Sequence, residues 1–175
     1  MTGHLRYPVG PWAWPAEVTP EERAQHIRDI ETLPAQLRAA VAGLAPRHLD
    51  TPYREGGWSI RQIVHHVPES HMNSYIRCKL ALTEDHPTVK PYDEALWAKL
   101  PDASTAPVGL SLDLADALHQ RWVLVLRAMT DADFERTLYH PEAGTLKLKA
   151  VAACYGWHGR HHGAQIVATR QHYGW

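Results

Sequence analysis

Six of the 13 histidines in this 175-residue chain fall in two short segments, His65, His66 and His71, then His158, His161 and His162. A neutral imidazole nitrogen is a good ligand for divalent cations, so such clusters raise the question of a metal site. His158 and His162 are four residues apart, and on a helix they stand one turn apart on the same face, where both rings can reach one cation. The spacing alone is weak evidence, because 13 histidines in 175 positions give about one such pair by chance. Its setting is more informative. Val151, Tyr155 and Ile166 share the stripe, so the two rings point with apolar residues toward an interior, where buried basic groups need a partner. A third histidine would complete an arrangement that leaves one coordination position open for water or substrate. In the earlier segment His71 lies nearest the centre of the apolar face, with His65 and His66 flanking it on opposite sides, so helical phase leaves three candidates. Cys78 and Cys154 sit on inner faces, where an inert buried thiol is the expected state, and two cysteines cannot build a disulfide scaffold.

Helices must position these residues. Thr19-Pro20-Glu21-Glu22 is a capping box with proline at the first helical position. Ile27, Ile30, Leu33, Leu37, Val41 and Leu44 continue it as one apolar stripe to about Leu44, ended by Gly43 and Pro46. Ser59 with Gln62 caps a second helix, predicted to about Leu82, with Ile60, Ile63, Val64, Val67, His71, Tyr75 and Cys78 inward. Pro34 and Pro68 lie inside these helices and each predicts a kink. Residues 84–108 hold Pro87, Pro91, Pro101 and Pro107 and read as a long loop with room for a short helix at Tyr92 to Leu100. Leu114, Leu118, Trp122, Val125 and Met129 mark a third helix from about Ser111. Thr137-Leu-Tyr-His and Thr145-Leu-Lys-Leu-Lys alternate around Pro-Glu-Ala-Gly as a small hairpin, and the last helix runs from about Ala150 to His172. Residues 1–18 read as an extended arm pinned by its two tryptophans. The prediction is one domain over residues 1–175, all-α, a four-helix bundle with a short β-hairpin and a long Pro-containing loop.

Lys+Arg 18 against Asp+Glu 19 leave a formal net charge of -1, which argues against a nucleic-acid or membrane partner. No apolar run approaches the roughly 18 residues of a membrane span. The opening MTGHLRYPVGPWAWP has neither the cationic start nor the apolar stretch of a secretory signal, so the cytoplasm is the expected compartment.

Longer runs carry a resemblance. Pro52-Tyr-Arg-Glu-Gly-Gly-Trp-Ser-Ile-Arg-Gln-Ile-Val-His-His-Val, Ser70-His-Met-Asn-Ser-Tyr-Ile-Arg with Lys79-Leu-Ala-Leu-Thr-Glu-Asp, Trp157-His-Gly-Arg-His-His-Gly-Ala-Gln-Ile and the opening Tyr7-Pro-Val-Gly resemble the YfiT branch of the DinB superfamily. The resemblance spans nearly the whole chain. It implies a four-helix bundle holding one divalent metal, zinc or nickel, with iron or manganese as further possibilities, through His66, His158 and His162; His65, His71 and His161 would be neighbours. Pro68 with Glu69 departs from the family's usual small residue followed by an acid, but the acid is kept.

The resemblance also implies two reactions, metal-dependent hydrolysis and transfer of a low-molecular-weight thiol such as bacillithiol or mycothiol. A hydrolase that activates water commonly places a carboxylate beside it, as the glutamate of His-Glu-x-x-His does, whereas Gly159, Arg160 and His161 stand between His158 and His162. A thiol needs less help, since coordination can deprotonate it outright. The sequence therefore favours an S-transferase joining a thiol cosubstrate to an electrophile. The alternatives are a hydrolase and a non-catalytic metal-binding bundle. Asn73, Arg77 and Arg160 are candidates to anchor the thiol, Glu69 to orient a ligand or act as a base, and Trp58 and Trp157 to shape the pocket. Resemblance also suggests a homodimer, with Trp97 and its loop at the interface.

Overall fold

In the computed structural model, which describes residues 3–175, the chain runs α1 (Gly3–Arg6), α2 (Pro20–Val41), α3 (Pro46–Leu49), α4 (Ile60–Thr83), α5 (Glu94–Trp97), α6 (Pro101–Ser104), α7 (Val108–Ala128), α8 (Asp131–Glu135), β1 (Thr137–His140), β2 (Gly144–Lys147) and α9 (Leu148–Tyr173). The four long helices α2, α4, α7 and α9 form the bundle. The caps read from the sequence start two of them. Thr19 accepts from the Glu22 N–H while Glu22 returns a bond to Thr19, and Ser59 and Gln62 do the same for α4. Both helices continue through Pro34 and Pro68.

Several boundaries differ from expectation. α2 stops at Val41, because Ala42 leaves the helical region and Gly43 turns to a positive φ of 74°. The arm is not extended throughout: residues 3–6 form α1, while Met1 and Thr2 lie outside the described residues. Of its two tryptophans only Trp12 reaches the bundle, 5.6 Å from the Trp157 ring, whereas Trp14 is exposed and stands edge-on to Trp12 within the arm. Tyr92 to Leu100 yields only the single turn α5, followed by the single turn α6. The short helices α3 and α8 are additions to the predicted set, each too brief to show a periodic stripe.

Two features of the packing position the histidines. First, α9 lies close against α2 through glycines: a Cβ on Gly159 would fall 2.5 Å from Leu33 Cδ2 and one on Gly156 2.9 Å from His26 Nδ1. Gly159 occupies the face of α9 next to the one bearing His158 and His162, and Gly156 lies further round toward the far side, so the close approach to α2 sets the roll of the helix. Second, two apolar clusters bracket the histidine layer. Leu33, Leu37, Ile63, Val67 and Ile166 fill one end, and Ile30, Cys78, Trp122, Leu138 and Val151 the other. The hairpin pairs Thr137 with Lys147 through His140 with Gly144. The loop before α5 is stitched to it by the bonds Val89 N–H to the Tyr139 carbonyl and Tyr139 N–H to the Pro87 carbonyl, each 2.9 Å.

Candidate metal centre

The structure brings His66 of α4 together with His158 and His162 of α9, with one ligand atom from each all within 4.8 Å of one another. His66 Nε2 and His158 Nε2 are 3.2 Å apart. Two nitrogens bound to one tetrahedral cation at ~2.0–2.1 Å would stand about 3.3 Å apart, which the His66 and His158 pair matches, and three imidazoles are donors suited to a divalent cation. Burial away from water holds His66 down to about 4 and pushes His158 and His162 well below the ordinary imidazole value, with the neighbouring rings adding to the effect on the latter two. The rings are therefore neutral at physiological pH, as metal ligation requires.

The tautomer of His162 follows from its partner. The Gln165 Nε2 amide donates to the Arg6 carbonyl at 3.1 Å, which turns Gln165 Oε1 toward His162 Nδ1 at 2.8 Å. That oxygen can only accept, so His162 Nδ1 carries the hydrogen and Nε2 keeps its lone pair. Trp58 packs over the His66 ring at 4.6 Å, and the loop presenting it is closed by Tyr53 N–H to the Trp58 carbonyl and Ile60 N–H to the Thr51 carbonyl.

The trio opens on a cavity of about 340 Å³. Trp58, Trp157 and His161 wall it from the α4 and α9 side. Tyr92 and Glu94 enter from the loop and α5, and His140 and Glu142 from the hairpin. His161 stacks on Trp157 at 4.6 Å, and Tyr92 lies tilted against Trp97 at 4.5 Å. The sequence reading missed Tyr92, Glu94, His140 and Glu142. They come from a loop, the single turn α5 and the hairpin, segments too short to carry a periodic stripe, and backbone bonds join the loop to the hairpin near the mouth.

The remaining predicted residues divide. Arg77 lines the cavity, its Nη2 donating to the Lys90 carbonyl at 2.6 Å. Trp58 and Trp157 line it as expected. Glu69 does not: it lies one turn beyond His65 and lines a separate cavity with Met72, Trp97 and Asp102, about 60° around the helix from His66. Burial there, and the Asp102 charge, raise its carboxyl above the usual range. Asn73 shares the His66 stripe, but its amide turns back to the Glu69 carbonyl at 2.9 Å. Arg160 points away from the trio and pairs with Asp29 of α2 at 3.3 Å, since two residues after His158 is the far side of the helix. His65 is held by Ser111 at 2.7 Å and the Ala106 carbonyl at 3.1 Å, away from the trio. His71 stands behind His158, on its Nδ1 side, at 3.2 Å.

The chain is 52% identical over 171 residues, 98% of each chain, to a Bacillus mycoides protein named "Putative metal-dependent hydrolase", and 51% identical with the same coverage to Bacillus cereus proteins of that name. Its fold matches YfiT from Bacillus subtilis, described as a probable metal-dependent hydrolase with an unusual four-helix bundle topology, at a TM-score of 0.94 and 43% identity over 98% of this chain and 99% of that one. Residues 29–166, which carry all three clustered histidines, match the DinB superfamily model. With its sequence and its bundle both aligned end to end on these relatives, the chain belongs to the DinB superfamily.

Proposed function

We propose that the chain is a metal-dependent enzyme whose three clustered histidines hold one divalent cation at the floor of the cavity, and that it transfers a low-molecular-weight thiol to an electrophile. The observation that carries the metal reading is the meeting of three imidazoles from α4 and α9, one ligand atom from each within 4.8 Å of the others and the His66 and His158 pair at 3.2 Å. A divalent cation held by His66, His158 and His162 would supply a Lewis acid that favours the deprotonated form of a bound thiol or water. Zinc and nickel suit an all-imidazole donor set, and iron and manganese are also accommodated by it.

The cavity residues support the thiol. No carboxylate joins the trio among the described residues. The chain's own thiols are out of play, since burial pushes Cys78 up to about 11 and Cys154 up to about 12. The sulfur must come from a cosubstrate. Arg77, fixed by the Lys90 carbonyl, offers a guanidinium for a cosubstrate carboxylate, and Trp58, Trp157 and Tyr92 offer apolar walls for the electrophile. The thiol gives up its proton to solvent in the open cavity, its sulfur forms a bond to the electrophilic carbon, and the displaced group leaves with the electron pair of the bond that breaks.

A hydrolytic second reading is favoured by Glu94 and Glu142, which line the same cavity, and by the names of the relatives. A carboxylate at that wall could take a proton from water. One experiment separates the readings. Zinc- or nickel-loaded protein is incubated with bacillithiol, glutathione or cysteine and a chlorodinitrobenzene electrophile, and in parallel with p-nitrophenyl esters and anilides. Metal-dependent conjugate formation, lost in His158→Ala, is the expected result. Metal-dependent hydrolysis without thiol, and no conjugate with any thiol, would overturn the transfer reading in favour of the second.

A further inference from the structure

Behind His158, on the side away from the cavity, two more histidines stand in line through the bundle. His158 Nδ1 lies 3.2 Å from His71 Nε2, His71 Nδ1 lies 2.9 Å from His119 Nε2, and His119 Nδ1 lies 2.6 Å from the Ala115 carbonyl oxygen. His71 is wholly buried and His119 is 1% exposed. A row of imidazoles can orient its hydrogens either way unless one end is decided. Ala115 decides it here, because a carbonyl only accepts. His119 must therefore carry its hydrogen on Nδ1. Two of the three rings are wholly enclosed in the core, where a charged imidazole would be left desolvated, and each ring nitrogen facing along the row meets one partner, so each ring carries a single N–H. His119 Nε2 then accepts from His71 Nδ1–H, and His71 Nε2 accepts from His158 Nδ1–H. His158 Nε2 is left with its lone pair facing His66.

We propose that His71 and His119 are positioning residues of the metal centre, a relay anchored on the Ala115 carbonyl that holds His158 in the tautomer able to ligate a cation. The inference rests on the reading of the trio as a cation site and is independent of which reaction follows. It brings α7, which supplies no ligand, into the centre. It also accounts for polar rings at two core positions where an apolar side chain would pack without any desolvation cost. Gln165 and the Arg6 carbonyl do the same for His162, so both ligands of α9 have their hydrogens directed by a backbone oxygen.

The test reads tautomer and affinity separately. Two-bond ¹⁵N correlation spectra of the metal-free protein report which ring nitrogen of each histidine is protonated, and Co²⁺ titration reports binding. Wild type is expected to show Nδ1–H at His158, His71 and His119. His119→Phe, which keeps the bulk and removes the acceptor, should mix the His158 tautomers and weaken Co²⁺ binding about 10–100-fold. His119→Gln, whose amide oxygen can accept from His71, should recover most of the affinity. Circular dichroism and thermal melting check that each variant is folded, and the wild-type spectrum decides the tautomer even if His119→Phe does not fold. A wild type that takes up no cation defeats the metal reading itself. A wild type that binds Co²⁺ with His158 protonated on Nε2 in the free protein, or a folded His119→Phe with unchanged affinity, defeats the relay alone.

Discussion

At the scale of single residues, the centre depends on which nitrogen of each ring is free. Gln165 is the clearest lever, since its amide is oriented by the Arg6 carbonyl and in turn orients His162. Gln165→Met keeps the volume of the buried side chain and removes the acceptor. It should weaken cation binding by about 10-fold, measured by competition with a chromophoric chelator. Full affinity in a folded Gln165→Met would show that His162 needs no such partner. Residue identity was unevenly legible in the sequence. Periodicity put His158 and His162 on one inward stripe, because one helix carries both. The third member was beyond its reach: His65, His66 and His71 all lie within reach of an inner face of α4, and only the roll of α4 against α9 separates a residue facing the trio from one bonded to Ser111 or one standing behind His158. Resemblance to relatives named His66. His119 escaped notice because a lone histidine in the apolar stripe of α7 has its partner on another helix.

At the scale of elements, the seam between α2 and α9 holds the site in place. Gly159 lies against the fully buried Leu33, so a methyl group there has nowhere to go. Gly159→Ala should gain a little helix propensity and lose more to overpacking, for a net destabilisation of about 1–3 kcal/mol in urea denaturation. Because the strain pushes α9 away from α2 on the face next to His158, cation affinity should fall with it. A variant as stable as wild type would mean that the seam is looser than the distances indicate. The long helices were readable because capping boxes and three-and-four spacing are local signals, and neither Pro34 nor Pro68 interrupts them. The cavity mouth was not readable. Tyr92, Glu94, His140 and Glu142 come from a loop, the single turn α5 and the hairpin, which meet across the chain where two backbone bonds join the loop to β1. Glu69 shows the opposite failure, since a short distance in sequence from His66 placed it on a neighbouring face.

At the scale of the whole molecule, the fold buries an unusual number of imidazoles, and that has a price in acid. Among histidines that are not ligands, His26 and His65 are lowered from the ordinary value chiefly by desolvation, as is His119. Below pH 6.5 the unfolded chain takes up protons that these folded rings refuse, so stability is present in full above pH 6.5 and is lost as the pH falls below it. The melting temperature of the metal-free protein should be flat from about pH 8 to 7 and drop from about pH 6.5 to 5; a rise on acidification would contradict the burial of neutral rings. Loading with a cation should raise the melting temperature at pH 7.5, because only the folded chain gathers the three proposed ligands. The measurement that bears most directly on the whole account is the stoichiometry and affinity of Zn²⁺ on metal-stripped protein, compared among wild type, His66→Ala and His71→Ala. Wild type should bind one ion per chain; His66→Ala, which removes a proposed ligand, should lose at least 100-fold in affinity, and His71→Ala, which removes proposed support, should lose less. Full occupancy in His66→Ala, with loss confined to His71→Ala, would place the cation elsewhere in the histidine layer and contradict the account.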